Sequence, residues 1–330
     1  MNYCLRRLSP LSVLFSCALR PTLALRSPPV PPNVFARPHT TTQRTCATAS
    51  SSTLKMSDEF KTRTVDKVIL SRTQREGVGA TVRRSIGTFS LRRFDPFLML
   101  DEFNVGKPAG FPDHPHRGFE TVTYMLEGEF EHEDFEGHRG KIGPGDLQWM
   151  TAGKGIVHSE MPHGIKDAHG LQLWVNLAAK DKMVDPTYQE LKKEDIPSVI
   201  KDGVSATIIA GSALGVDSPV YTRTPTHYIR FTMEPNSQLH QPIPEGWNAF
   251  LYILGGEASV GSDSAESKIG PHNTITLKQN GNGVTIKTFE EGVDFVFLCG
   301  QPLNEPVVQH GPFVMNTQEV SGPGPVLVLK

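Results

Sequence analysis

The sequence predicts an all-β protein built from two tandem β-barrels, the second a variant of the first. Three observations carry this. From Val65 onward the chain is a succession of short alternating segments punctuated by Gly, Pro and Asp, the pattern of strands and turns. Two stretches recur at nearly one spacing: "YMLEGEFEHED" (Tyr124–Asp134) resembles "YILGGEASVGS" 128 residues later, and "KIGPGDLQWM" (Lys141–Met150) resembles "KIGPHNTITL" 127 residues later. The helical signal is confined to one segment, "DPTYQELKKEDI", with Pro186 at its start.

The elements follow in order. Residues 1–57 form a leader with six Arg, one Lys and no acid before Asp58. Its Ser, Thr and Arg content is that of an organelle (mitochondrial) transit peptide. A secretory signal, an uncleaved extension, and a second start at Met56 are the alternatives. Three of the four cysteines (Cys4, Cys17, Cys46) lie in this leader, and no Asn-x-Ser/Thr sequon occurs, which weighs against secretion. Residues 58–185 are expected to form the first barrel, 186–320 the second, and 321–330 a tail. "ETVTYML", "DLQWMT" and "LQLWVNL" read as strands of the first; "HYIRFTME", "AFLYILGG", "TITLK", "VTIKT" and "DFVFLCG" as strands of the second. Beyond the leader the charge balance is 26 basic to 35 acidic side chains, which argues against a nucleic-acid-binding face. No apolar run reaches the ~18 residues of a membrane helix.

Alternation in a strand puts residues i and i+2 on one face. In "HPHRGFETVTYML" that pairs His114 with His116; in "GKGIVHSEMP" it pairs His158 with Glu160. If both strands line one barrel, three imidazoles and a carboxylate converge, a set suited to a first-row divalent metal, iron included. Four protein ligands leave an octahedral ion two positions for water, O2 or substrate. Carrying the repeat spacing across, His114 and His116 match Pro242 and Pro244, and His158 and Glu160 match Thr285 and Lys287. The second barrel should therefore be metal-free. Glu120 shares the phase of the histidines and is either a partner orienting an imidazole or a surface carboxylate; Phe119, Thr121 and Met125 fall on the opposite phase. His132 and His138 are expected in solvent, His163 and His169 in loops. "AGKG" (Ala152–Gly155) lacks the spacing of a phosphate loop and reads as a turn aiming His158 inward.

Six motifs, "FPDHPHRGFETVTYMLEGE", "HEDFEGH", "PGDLQWMTAGKGIVHSEMP", "HGLQLWVNL", "YTRTPT" and "HGPFVMNT", resemble the pirin family of bicupin proteins from about Val65 to Thr317. The resemblance implies two cupin (jelly-roll type) barrels and one Fe2+ held by His114, His116, His158 and Glu160. It implies a monomer in nucleus and cytoplasm, a redox-responsive co-regulator that binds Rel-type transcription factor proteins. The alternative it implies is a quercetin 2,3-dioxygenase, with a flavonol and O2 as substrates; on that reading Glu160 is the candidate catalytic base. For the adaptor role, Arg83, Arg84, Arg92 and Arg93 offer a basic patch for an acidic partner. The leader and the ending "QEVSGPGPVLVLK", in place of a charged C-terminal helix, depart from the family pattern.

Overall fold

The structure, a computed structural model, describes residues 59–261 and 267–318. The leader and the tail expected at 321–330 lie outside them. The described chain is two β-barrels, each made of one large and one small sheet joined by antiparallel ladders. The large sheet of the first barrel runs, in spatial order, Thr187–Leu191, Leu147–Thr151, Phe119–Glu127, Ala168–Asn176, Phe97–Val105, Ala80–Ile86 and Thr73–Glu76. Its small sheet runs Phe111–His116, Ile156–His163, Glu129–Asp134 and Arg139–Ile142. The second barrel repeats the plan. Its large sheet is centred on Asn248–Gly256 and Val293–Gly300, and its small sheet is Gln238–Pro242, Gly283–Lys287 and Ser259–Val260.

In Phe119–Glu127 every residue from Phe119 to Met125 is buried, because both faces of this strand are covered. One face lines the barrel. The other, with Val122 and Tyr124, packs with Trp149 and Leu173 against Tyr228, Phe250 and Tyr252 of the second barrel. The two large sheets thus lie back to back over one apolar layer. A buried carboxylate fastens it: Glu102 accepts the Tyr252 hydroxyl (2.7 Å) and imidazole N–H groups of His169 (2.9 Å) and His272 (2.8 Å). His169 therefore belongs to a strand, as does His163 at the end of Ile156–His163, rather than to loops.

The barrels are interlaced. Val65–Leu70, from the start of the chain, pairs with Asn273–Leu277 of the second barrel. Thr187–Leu191, beyond the expected division at residue 185, pairs with Leu147–Thr151 of the first. That second pairing also corrects the helix expected in "DPTYQELKKEDI". The segment is a five-residue strand followed by a single 3-10 turn at Lys193–Asp195. A short isolated helix has little stability of its own, and an open sheet edge offers it a full ladder.

Finally, the hairpin Val308–His310 and Phe313–Met315 returns to the first barrel. There the Arg117 N–H donates to the Pro312 carbonyl at 3.1 Å and the Val314 N–H to the Arg117 carbonyl at 2.9 Å. The buried Lys182 ammonium clamps this junction, donating to the Gly118 carbonyl, the Asn176 side chain and the Val314 carbonyl at 2.7–3.0 Å. Burial pulls its pKa down to about 8.

Candidate metal centre

Phe111–His116 and Ile156–His163 are neighbours in the small sheet, with His158 directly across from His114. The i, i+2 spacing then sets His116 on the same face. The three imidazoles meet inside the first barrel, with ring centroids 4.5–5.0 Å apart and ligand nitrogens within 4.8 Å of one another. His116 and His158 are buried, and His114 is half-buried. His116 packs edge-on against Phe119 and Trp174, each 5.2 Å away.

The ring nitrogens have the state a ligand needs. His114 Nδ1 lies 2.9 Å from the Pro112 carbonyl, which can only accept, so the neutral tautomer favoured there carries its proton on Nδ1 and leaves Nε2 as the ligand nitrogen. Burial, reinforced by the neighbouring imidazoles, holds His116 well below the usual histidine range and His158 at about 3. Both rings are neutral at physiological pH. Neither nitrogen of His158, nor Nδ1 of His116, has a hydrogen-bond partner among the described residues. Orphaned, buried and convergent nitrogens cost stability in a plain core and are satisfied by an ion. The residues present fit a divalent transition metal.

Glu160 faces the same interior, but its carboxylate is held at the side. It accepts the Thr123 hydroxyl (3.0 Å) on one oxygen and the Gln172 amide N–H (3.1 Å) on the other. Burial raises its pKa. Thr123 and Gln172 carried no signal strong enough to single them out, although both are polar residues within otherwise apolar strands. A cavity of about 1100 Å³ opens onto this group. His114, His116 and Glu160 line its floor, Phe103, Phe130 and Trp174 its walls.

Three expectations need correction. Glu120 does not face the histidines. The chain changes sheets at Arg117–Gly118, where Gly118 adopts φ +84° and a Cβ would strike the Val314 carbonyl, so the strand phase restarts at Phe119. Phe119, Thr121, Thr123 and Met125 consequently line the barrel, while Glu120 points to the inter-barrel layer and accepts the Thr151 hydroxyl at 2.7 Å. It is fully buried, and burial raises its pKa to about 7. Second, His132 is not in solvent: it is 2 % exposed, because Phe130, His132 and Asp134 share the buried phase of their strand. His138 is exposed, as expected. Third, the four arginines are not one free patch. Arg84 makes a forked ion pair with Asp101 (2.9 and 2.7 Å) and a further bond to Glu76. Arg92 and Arg93 stand at the cavity rim.

The second barrel lacks the centre, through counterparts one residue away from those the repeat spacing named. There Gln241 stands across from Val284, as His114 stands across from His158. Ile286 stands across from Val260, as Glu160 stands across from His132. Ile243, the counterpart of His116, is buried in the second core. Pro242, Thr285 and Lys287 sit on the outer phase; a one-residue slip in a strand turns every side chain to the other face.

Residues 79–175 match the family profile described as "Pirin", and residues 228–320 match "Pirin C-terminal cupin domain". A pirin-like protein of Solanum lycopersicum is 58% identical over 266 residues, covering 80% of this chain and 91% of that protein. The chain belongs to the pirin family. Human pirin is likewise 58% identical, over 76% of this chain and 87% of that protein. Among solved structures, a quercetin 2,3-dioxygenase from Acinetobacter baumannii superposes with a TM-score of 0.71 at 31% identity, over 78% of this pirin-family chain and 93% of that one. The two barrels are thus cupin barrels, and the histidine cluster lies in the cupin covered by the first match.

Proposed function

We propose that the protein is an iron-dependent dioxygenase that opens the ring of a flavonol-like substrate. The observation that carries this reading is the cavity. At about 1100 Å³ it is slightly larger than the roughly 300–1,000 Å³ of ligand pockets, is walled by aromatic side chains, and ends on His114, His116 and the buried Glu160 carboxylate. The likeness to a quercetin 2,3-dioxygenase at 31% identity supports the same class. Held by His114, His116 and His158, with Glu160 as the fourth ligand the resemblance implies, Fe2+ would supply Lewis acidity and the electron transfer that O2 chemistry requires. The chain's own residues do the rest. Phe103, Phe130 and Trp174 take a flat aromatic ligand and exclude water. Glu160, raised by burial and kept in place by Thr123 and Gln172, takes the substrate's hydroxyl proton. That side-on placement favours the base role over permanent ligation.

The test is aerobic turnover of quercetin by the iron-loaded full chain. Oxygen-dependent loss of flavonol absorbance is expected, falling at least ~100-fold in Glu160→Gln. No turnover of any of several flavonols at full iron loading overturns the enzyme reading. It would favour the adaptor reading, in which the iron state is sensed by a transcription-factor protein in nucleus or cytoplasm. One feature supports that alternative: Phe89 is 91% exposed beside Arg92, and both lie at the rim of the same cavity.

A further inference from the structure

Beyond the centre just described, His132, His138 and Glu190 gather where the small sheet of the first barrel meets the edge strand Thr187–Leu191. Their ligand atoms lie within 4.8 Å of one another. Nothing in the proposed reaction uses them. We infer that these three residues form a second divalent-metal site, with the two imidazoles and one carboxylate that zinc takes.

The geometry between the side chains is that of ligands sharing an ion. Nε2 of His132 and Nε2 of His138 lie 2.9 and 3.3 Å from the same oxygen, Oε1 of Glu190. Ligands about 2.0–2.2 Å from one ion, at angles between square and tetrahedral, are separated by about 2.9–3.5 Å. Direction separates the two readings at His132. Despite the 2.9 Å approach its Nε2 does not meet hydrogen-bond geometry with the carboxylate. Two ligands of one ion do not aim at each other; both aim at the ion. His132 is 2 % exposed, so this is a buried polar atom directed into the cluster with no partner to satisfy it.

Room is kept at that nitrogen. Gly140 is the cross-strand partner of His132. Its backbone is not in the left-handed region that favours glycine. A Cβ there would nonetheless fall on His132 Nε2 and lie 3.3 Å from the other Glu190 oxygen. Glycine at this position leaves open the space an ion would take.

The surroundings hold the ligands in place, as in established metal sites. The Gln148 amide N–H fixes Glu190 Oε1 at 2.9 Å. Tyr188 stacks on the His138 ring at 4.5 Å, and its hydroxyl donates to Asp134. The other Asp134 oxygen receives the backbone N–H groups of Glu136 and His138, both at 2.9 Å, which closes the turn presenting His138. His138 and Glu190 are part-exposed, giving an ion entry and water to complete its shell.

The test counts zinc. Full-chain protein is stripped with chelator, equilibrated with Zn2+, desalted and analysed for metal. His138→Ala, an exposed substitution, is expected to hold one equivalent less than the unmodified chain, and Gly140→Ala likewise. In a His114→Ala, His116→Ala background, where the first centre is gone, Co2+ is expected to give d–d absorption bands that disappear on adding His138→Ala. Equal zinc content in the unmodified chain and His138→Ala overturns the assignment. So does the absence of any His138-dependent cobalt band.

Discussion

In the first barrel the small sheet sets His114 across from His158 and His132 across from Glu160; in the second it sets Gln241 across from Val284 and Val260 across from Ile286. These pairs correspond, and the large sheets again lie back to back. At these positions the inward side chains differ. The second interior is closed by Leu239, Val284, Ile286 and their apolar neighbours. The first leaves neutral imidazoles without protein partners. The scaffold alone therefore requires no histidine at these positions, and the first barrel accepts orphaned polar atoms that cost about 1–3 kcal/mol each unless something binds them.

The sharpest way to break this contrast is to remove His158. His158→Ala should take iron at the first centre from about one equivalent per chain to near zero, by elemental analysis, with the second barrel's fold intact. Full occupancy in that variant would separate the imidazole cluster from metal binding. Next in size is the reverse change. Val284→His puts an imidazole into a filled interior, adding the burial of an unpaired polar group to overpacking, and should lower stability by about 3–5 kcal/mol in urea unfolding. A loss below about 1 kcal/mol would mean that the second barrel is as tolerant of imidazole as the first. The smallest effect concerns the layer between the barrels, where Glu120 corresponds to the neutral Asn248. The Glu120 pKa is about 7 in the fold against 4.5 for a free carboxyl, so the folded state holds the extra proton between those pH values. Its contribution is fully present below about pH 4.5 and is lost as pH rises through 7, so stability falls across this window by about 3 kcal/mol. Glu120→Gln should abolish that fall. A parallel pH profile in both proteins would refute it.

The sequence made the barrels legible through alternation and repetition, and it made the imidazoles legible because two residues in a continuous strand keep their phase. Reading failed where phase was broken or supplied from afar. Glu120 was misplaced because the sheet change at Gly118 resets the alternation. His132 was misplaced because "EHEDFEGH" is polar in composition, although Phe130 marks its buried phase. The counterparts in the second barrel were misread by one residue, since the repeat spacing is 128 in one stretch and 127 in the next and a small insertion inverts the face. Thr187–Leu191 became a strand because Leu147–Thr151 offered an edge, and no local pattern announces a partner some 40 residues away.

The interlacing of the barrels also bears on how the protein is made. Synthesis delivers the chain from its N-terminus, and a domain ordinarily folds as soon as it has emerged. Here Val65–Leu70 has no partner until Asn273–Leu277 is made, and the wall beside Arg117 is incomplete until Phe313–Met315 arrives. A nascent first barrel therefore leaves the ribosome with its imidazoles in reach of solvent and one wall missing. A metal ion can reach that open vessel during synthesis, and the hairpin Val308–Met315, among the last of the described residues, is what shuts it.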